Sequence, residues 1–373
     1  MNISIPLFKV HMPAGAGAAL DATFASGYIA HGAKVEEFER GLAAYTGNPQ
    51  VCAMSEVSGA LTLALFMAGV RPQDEVIVSP LTCLATSMPI ANLFARPRWC
   101  DVDPMTGMLD PERIAELVTP RTRAILAYHW SGDVADLEAL QAAARAHGLK
   151  LIEDASEAFG AEYRGRKLGH NGSDFCIYSF AAVRQITAGE GAALFCASPG
   201  DHERARRLRR YGIDQASFRL PSGDLNPDSD IPVPGFNVCM NNVAATLGLA
   251  QLPHAGDVVA RQRANGRYYD GVLAGVAGLT LLARRADAVS GYWTYSLRAE
   301  RRANLMRKLQ QNGIGCQRLH VRNDHYSCFA DVRRDDALPG VDLFDRENLS
   351  IPCGWWLSHE ERERIVACIR AGW

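Results

Sequence analysis

Ala124-Ile-Leu-Ala-Tyr128 and Lys150-Leu-Ile-Glu-Asp154 are two short apolar runs on either side of the segment Asp136-Leu-Glu-Ala-Leu-Gln-Ala-Ala-Ala-Arg145. The two outer runs have the length and composition of buried strands, and the segment between them has the apolar spacing of a helix. A strand, a helix and a second strand in this order are typical of a crossover between parallel strands. This stretch therefore predicts an α/β fold with a mostly parallel sheet.

The same alternation continues on both sides of this unit. Towards the N-terminus, residues 58–68 are rich in small apolar side chains and predict a helix, and residues 74–79 predict a strand. Towards the C-terminus, residues 174–194 predict a strand, a short loop and a second apolar strand that follows Gly-Glu-Gly. Ligands of such sheets bind beyond the carboxyl ends of the strands, where His129 and Asp154 both fall.

The length of the chain predicts two domains. With 373 residues, about half of them apolar, the chain can bury a large core. We expect a large domain over residues 1–255, and a long helix with a small α+β domain over residues 256–373. Between them, residues 203–210 predict a basic helix with a solvated face. The polar stretch that follows, up to Pro234, is either a loop that covers the site or a long connection.

Charge and hydropathy exclude several classes of function. The formal net charge is −2 and the calculated isoelectric point is 6.6, so we expect no binding of nucleic acid or of an anionic membrane. The N-terminus lacks the pattern of a signal peptide, and no apolar run approaches the ~18 residues of a membrane helix. These features predict a cytoplasmic protein. The ten cysteines are scattered singly, which favours reduced thiols and argues against a metal site.

An ordered series of motifs covers nearly the whole chain. The motifs are Gly32-Ala-Lys-Val-Glu-Glu-Phe-Glu39, Asp74-Glu-Val-Ile-Val-Ser-Pro80, Asp101-Val-Asp-Pro-Met-Thr106, Glu153-Asp-Ala-Ser-Glu-Ala-Phe-Gly160, Tyr178-Ser-Phe180 with Gly189-Glu-Gly191, Gly235-Phe-Asn-Val-Cys-Met240 and Leu247-Gly-Leu-Ala-Gln-Leu252. In this order they resemble the DegT/DnrJ/EryC1/StrS family of sugar aminotransferases, whose fold is that of aspartate aminotransferase (PLP fold type I).

The resemblance implies a site for pyridoxal phosphate (PLP) or pyridoxamine phosphate (PMP). Asp154 matches the aspartate that pairs with the pyridine nitrogen. Ser58 and Ser179 match hydroxyl residues that bind the phosphate, and Ser58 would do so at the start of a helix. Asn237 matches an asparagine that reaches the phosphate of the neighbouring subunit's site. The resemblance therefore also implies a homodimer with shared active sites.

Four positions depart from the family pattern. Val57 replaces a glycine next to the phosphate, where close backbone approach becomes harder. Cys83 replaces the aromatic residue that stacks on the ring, and Glu157 replaces a glutamine and adds a negative charge. Arg184 replaces the lysine that forms the Schiff base. A guanidinium is charged at every accessible pH, so it is effectively neither a nucleophile nor a base.

No other lysine is predicted to take the place of the missing one. The chain has five lysines, all at positions that the family keeps outside the site: Lys9, Lys34, Lys150, Lys167 and Lys308. We therefore expect no internal aldimine, and a PLP or PMP cofactor that is non-covalent if it is bound at all.

Other residues are candidates for substrate binding and for acid–base chemistry. The resemblance implies a keto-sugar substrate, of the nucleotide-linked kind. His129 matches a histidine near the cofactor or substrate, and it or Glu157 would have to act as the base. His320, Arg322 and Asn323 lie where the family carries a substrate-facing loop, although a hydrogen-bonded loop cluster explains them equally well.

Three hypotheses follow from this pattern. The first is a sugar aminotransferase-like enzyme with a non-covalent cofactor, comparable to the sugar dehydratases of the family that carry histidine in place of the lysine. The second is a derived, cofactor-independent enzyme in which Arg184 acts as a clamp for an anion. The third is a catalytically inactive partner subunit. Val57, Cys83 and Arg184 favour the second hypothesis. Asp154 and Ser179, the two most diagnostic anchors of the cofactor, favour the first, which is our prediction.

Overall fold

A seven-stranded sheet forms the centre of the computed structural model, which describes residues 3–332 and 337–373. The order of its strands across the sheet is β3-β2-β4-β5-β6-β7-β1. The strands are β1 (Val51–Met54), β2 (Glu75–Val78), β3 (Arg96–Trp99), β4 (Thr122–Tyr128), β5 (Lys150–Asp154), β6 (Phe175–Ser179) and β7 (Ala192–Cys196).

The strands from β2 to β6 pair in parallel, and β7 runs antiparallel to both β6 and β1. The expected crossover is present, because β4 and β5 are adjacent and parallel, with Tyr128 opposite Asp154. The prediction of an α/β fold with a mostly parallel sheet is therefore confirmed.

Helices cover both faces of the sheet and connect its strands. They are α1 (Ala16–Ser26), α2 (Ala33–Thr46), α3 (Val57–Met67), α4 (Leu84–Asn92), α5 (Ile114–Leu117), α6 (Leu137–His147), α7 (Pro199–Leu208), α8 (Asn242–Gln251), α9 (Ala255–Val272), α10 (Arg302–Gln311), α11 (Pro339–Glu347) and α12 (His359–Arg370). In the described ranges, none of these helices combines the length and apolarity needed to cross a membrane.

The segment from Asn237 to Gln251 is helical only from Asn242. Its first residues are extended, and form bridges from Asn237 to Arg210 and from Cys239 to Met54. The helix begins where it does because the side chain of Asn241 caps it, accepting a hydrogen bond of 2.8 Å from the backbone N–H of Ala244.

The C-terminal part of the chain has its own core and its own sheet. The antiparallel strands β8 (Leu279–Leu281), β9 (Tyr295–Ala299) and β10 (Asn348–Ile351) lie in that order. Smaller sheets join Val102–Asp103 to Met108–Leu109, and Glu162–Tyr163 to Arg166–Lys167 and Ala288–Val289.

Helix α9 connects the two cores. Val259, near its start, is buried in the core of the large sheet, whereas Tyr269, near its end, is buried in the C-terminal core. Ile5 from the N-terminal segment also belongs to the C-terminal core. The predicted boundary at residue 255 remains a prediction, and this packing suggests a boundary within α9.

Candidate active site

The carboxyl ends of β4, β5 and β6 bring the candidate residues to one edge of the sheet. Tyr128 ends β4 and Asp154 ends β5, and the two are opposite one another. Asp154 is in turn opposite Ile177, two residues before Ser179 at the end of β6. The sheet topology therefore places Asp154 and Ser179 at the edge where ligands of parallel sheets bind.

Asp154 is almost fully buried, with 1% of its surface exposed. One carboxylate oxygen accepts a hydrogen bond of 2.7 Å from the hydroxyl of Thr86, and the other accepts one of 3.0 Å from the backbone N–H of Ser156. An ionised carboxylate offers about four acceptor positions. Asp154 is thus held rigidly and keeps capacity for a further donor.

Arg184 lies in the turn after β6, and its side chain is 9% exposed. The guanidinium carbon is 4.2 Å from the centroid of the Trp293 ring, which is a stacking distance. Trp293 is fixed in turn by a hydrogen bond of 2.8 Å to the carbonyl of Val183. Within the described part of the chain, no hydrogen bond reaches the buried Nε and Nη1 atoms of Arg184.

Glu157 is the acid that faces Arg184, with 3.6 Å between Oε1 and Nη1. Its other oxygen, Oε2, accepts a hydrogen bond of 2.7 Å from the backbone N–H of Ser131. Burial by itself would raise the pKa of Glu157. The neighbouring His320 and Arg184 and the Tyr128 hydroxyl outweigh burial and lower this pKa below its usual value. Glu157 is therefore ionised at neutral pH.

His320 completes this cluster. Its Nε2 atom is 2.8 Å from Oε1 of Glu157 and 3.0 Å from the hydroxyl of Tyr128. Burial raises the pKa of the Tyr128 phenol well above its usual value, so Tyr128 stays protonated. Because Glu157 can only accept, its contact with His320 favours the tautomer with the proton on Nε2. The basic nitrogen of a neutral His320 is then Nδ1.

The other two residues of the 320–323 loop have partners outside this cluster. Arg322 pairs with Asp324 at 2.6 Å and also contacts Asp342. Asn323 is 1% exposed, and its side chain donates to the hydroxyls of Thr82 and Ser87 at 3.0 and 2.9 Å. The two residues hold the loop in position, and of the three loop candidates only His320 joins Arg184 and Glu157.

His129 also lies apart from Arg184 and Glu157. It is fully buried, and its Nε2 is 2.9 Å from Oε2 of Glu153. Its Nδ1 accepts a hydrogen bond of 3.1 Å from the backbone N–H of Ala135, so the proton must reside on Nε2. Both ring nitrogens are occupied, and this geometry gives His129 a structural role.

Glu56 occupies the start of α3, where the resemblance implies phosphate binding. Its carboxylate accepts hydrogen bonds of 2.7 Å from the N–H of Ser58 and 2.5 Å from the N–H of Gly59. These are the backbone groups that a phosphate at a helix N-terminus would use. Ser179 is 1% exposed, and its hydroxyl oxygen accepts from the N–H of Ala181 at 3.2 Å.

The positions of Cys83, Val57 and Asn237 complete the set of predicted residues. Cys83 immediately precedes α4, and burial raises its thiol pKa, while Asp154 and Arg184 act on it electrostatically. Val57 is the first residue of α3. Asn237 is exposed in an extended segment beside Arg210, so its side chain is available to a second molecule.

All five lysines are engaged away from Arg184. Lys34 pairs with Glu37 and Lys150 with Asp174. Lys9 and Lys167 lie over the rings of Trp355 and Tyr45, and Lys308 donates to the carbonyl of Gly372. Within a single chain, none is placed to serve as the Schiff-base lysine that the resemblance implies at position 184.

These residues fit only part of a pyridoxal phosphate. Asp154 suits the pyridine nitrogen, because it is buried and has acceptor capacity. The phosphate end does not fit, because the carboxylate of Glu56 already holds the two backbone N–H groups and would repel a phosphate. The aldehyde of the cofactor would have no amine to react with, because Arg184 occupies the position where the resemblance implies the Schiff-base lysine. The residues present therefore do not match a PLP site of the usual kind.

Two residues that matter here were not identified from the sequence. Glu56 could have been noticed, because it precedes the altered Val57-Ser58 pair and glutamate is an uncommon helix cap. Trp293 gave no such signal, because its contact with Arg184 depends on how the C-terminal part of the chain packs.

Comparisons with known proteins agree with the fold. The DegT/DnrJ/EryC1/StrS aminotransferase family model matches residues 14–370. The erythromycin biosynthesis sensory transduction protein EryC1 of Saccharopolyspora erythraea is 33% identical over 350 residues, which are 93% of this chain and 92% of that protein.

Two solved structures are similar over nearly the whole chain. The sugar aminotransferase CalS13 from Micromonospora echinospora has a TM-score of 0.94 and 35% identity, covering 99% of this chain and 100% of its own. AtS13 from Actinomadura melliaura has a TM-score of 0.93 and 38% identity, covering 100% of both chains. PLP or PMP is the cofactor expected for the family. This chain belongs to the DegT/DnrJ/EryC1/StrS aminotransferase family.

Proposed function

We propose that this protein acts on a keto-sugar, of the nucleotide-linked kind, by moving a proton next to the sugar carbonyl and without an internal aldimine. The observation that carries the proposal is the buried cluster of Arg184, Glu157 and His320, in which Arg184 has N–H groups without a hydrogen-bond partner among the described residues. Such a reaction would isomerise or epimerise the sugar.

Arg184 supplies the charge that the reaction requires. Removal of a proton from the carbon beside a carbonyl leaves the electron pair in a new C=C bond and negative charge on the carbonyl oxygen. A fixed guanidinium with unused N–H donors stabilises such an oxyanion, because charge-assisted hydrogen bonds in a site shielded from water are strong. Stacking on Trp293 holds the guanidinium in place before the substrate arrives.

His320 is the group proposed to accept and return the proton. Histidine is the side chain that enzymes use most often as a general acid or base. Glu157 orients the ring through Nε2 and stabilises the imidazolium once the proton has been taken up. In this arrangement Glu157 is a positioning residue, and His320 touches the substrate.

A second candidate is the sugar aminotransferase-like reaction with non-covalent PLP or PMP. One observation favours it: Asp154 remains buried at the strand end and is held there by Thr86 and Ser156. The contacts of Glu56 with the start of α3 count against it. A catalytically inactive partner subunit would show neither reaction.

Proton exchange separates these candidates. The protein is incubated in D₂O with a nucleotide-linked keto-hexose, and the hydrogens beside the carbonyl are followed by NMR. We expect exchange without any added cofactor, slowed by about 10²-fold or more in His320→Gln. The exposed His359→Gln serves as the matched control and should leave the rate unchanged. An amino sugar that forms only with added PLP and an amino donor would instead favour the second candidate.

We also infer that the protein is a homodimer in which Asn237 reaches the neighbouring site. The exposed side chain of Asn237 supports this, as does the backbone on either side of it, which is fixed by hydrogen bonds from Phe236 to Leu208 and from Val238 to Arg209. A rigid, exposed polar residue is well suited to contact a partner. The cytoplasmic location remains a prediction from the sequence.

A further inference from the structure

Glu56 folds back onto the helix that it precedes. It is the capping residue of α3, an eleven-residue helix, and both of its carboxylate oxygens accept backbone N–H groups of the first turn. Orphan N–H groups and the helix dipole make such a turn attractive to an anion. In this protein the anion is part of the chain.

The backbone around Glu56 is shaped to admit its side chain. A Cβ atom at Gly59 would lie 2.5 Å from Oε1 of Glu56 and 2.7 Å from a methyl group of Val238. A side chain at position 59 would force one of these neighbours to shift. Val57 stands where the resemblance implies a glycine beside the phosphate, and its side chain packs against the core of the large sheet. The chain therefore has glycine at position 59, next to the carboxylate of Glu56, and valine at position 57, where the resemblance implies glycine next to a phosphate.

The start of α3 lies at the same edge of the sheet as the candidate site. Met54 ends β1 and is paired with Ala192 of β7, which is paired in turn with Ser179 of β6. The chain leaves β1 at Met54 and reaches Glu56 two residues later. Glu56 and Ser179 therefore lie beyond the same edge of the sheet, and only β7 separates the strands that lead to them.

We propose that Glu56 is a built-in substitute for a ligand phosphate, so that this end of the pocket rejects phosphorylated ligands and accepts neutral, hydroxyl-bearing ones. Hydroxyl groups can donate hydrogen bonds to a carboxylate, whereas a phosphate dianion beside it is repelled. The inference concerns binding alone and does not depend on which reaction the protein catalyses.

The test compares pyridoxal with pyridoxal phosphate, two ligands that differ only in the phosphate. Their affinities are measured by quenching of tryptophan fluorescence in the full-length protein and in two variants. Glu56→Gln keeps the size of the side chain and removes its charge. Glu56→Ser keeps a preferred helix cap and opens the space, so at least one variant should fold. Asp136→Asn is the matched control, because Asp136 is also an acidic helix cap and accepts a hydrogen bond from the N–H of Ala139 at the start of α6.

We expect the unaltered protein to bind pyridoxal at least as tightly as pyridoxal phosphate. Both Glu56 variants should bind pyridoxal phosphate at least about tenfold more tightly than the unaltered protein does, with little change for pyridoxal. Asp136→Asn should change neither affinity. A clear preference of the unaltered protein for pyridoxal phosphate, or variants that gain no affinity for it, would overturn the proposal.

Discussion

The guanidinium of Arg184 lies 3.6 Å from the carboxylate of Glu157, and the two side chains are 9% and 0% exposed. These are two of the positions at which the resemblance to the family implies other residues, lysine and glutamine. Arginine brings a permanent charge into the interior, and glutamate brings the opposite one. A buried charge is costly unless it is paired, so the two departures compensate each other.

Glu157→Gln should destabilise the fold at neutral pH, because it leaves Arg184 buried without its counter-ion. Breaking a buried pair of this kind costs about 3–5 kcal/mol in the free energy of unfolding. The folded-state pKa of Glu157 is lowered, so its stabilising effect is present above the unfolded pKa of about 4.3 and is lost as the pH falls through the lower folded value.

Urea unfolding at several pH values checks this prediction. The difference between the unaltered protein and Glu157→Gln should be largest near neutral pH and should shrink in the acid range. Glu138→Gln breaks an exposed ion pair with Arg164 and should change the free energy of unfolding by less than about 1 kcal/mol. A difference for Glu157→Gln that does not vary with pH would contradict the ionised pair.

No internal aldimine should form when PLP is added. Imine formation needs a primary amine at the aldehyde, and all five lysines are engaged elsewhere in the chain. The absorption spectrum before and after borohydride reduction is the measurement, followed by peptide mapping. A reducible absorbance that maps to one specific lysine would refute the prediction.

The two histidines at the edge of the sheet should behave differently when replaced. His129→Gln disrupts a fully buried pair with Glu153 and should lower the free energy of unfolding by about 1–3 kcal/mol. The rate at which the folded fraction of His129→Gln exchanges the hydrogens beside the sugar carbonyl should remain close to that of the unaltered protein. His320→Gln should have the opposite profile, with slow exchange and a smaller loss of stability. Equal loss of exchange in both variants would bring His129 back as a catalytic candidate.

The sequence predicted most of the fold and some of the residues that lie at the candidate site. The strands around Asp154 follow from short apolar runs, and their parallel order places Asp154 and Ser179 at one edge. The pairing of His320 with Glu157 could not be predicted, because it joins residues 163 positions apart through the packing of the C-terminal domain. The contact of Glu56 with Gly59 depends on a side-chain conformation that no periodicity reveals.

Asn237 provides a test of the shared site. The protein should sediment as a dimer at micromolar concentration, because a site completed by a neighbour requires one. Asn237→Asp places a negative charge on the exposed segment that is proposed to reach that neighbour. It should weaken binding of the nucleotide-linked sugar, measured by calorimetry, without lowering the melting temperature. Asn304→Asp, at an exposed position of α10, is a control for added charge. Monomeric behaviour would count against the shared site.

Arg184→Lys distinguishes a pocket that has kept its cofactor from one that has been rebuilt. If the cofactor still bound, the new amine would lie beside its aldehyde, and held proximity can raise the effective concentration by ~10⁵ M or more. A yellow imine should then appear with PLP. We expect instead a colourless protein, because Glu56 still excludes the phosphate. Its activity should fall at least about tenfold, since each charge-assisted hydrogen bond of the guanidinium contributes roughly 1.5–3 kcal/mol.

The double variant Glu56→Gln with Arg184→Lys should turn yellow, because the charge that repels the phosphate has gone and an amine is in place. A yellow single variant would reject the cofactor-free reaction, and a colourless double variant would show that more than these two residues separates this pocket from that of its relatives.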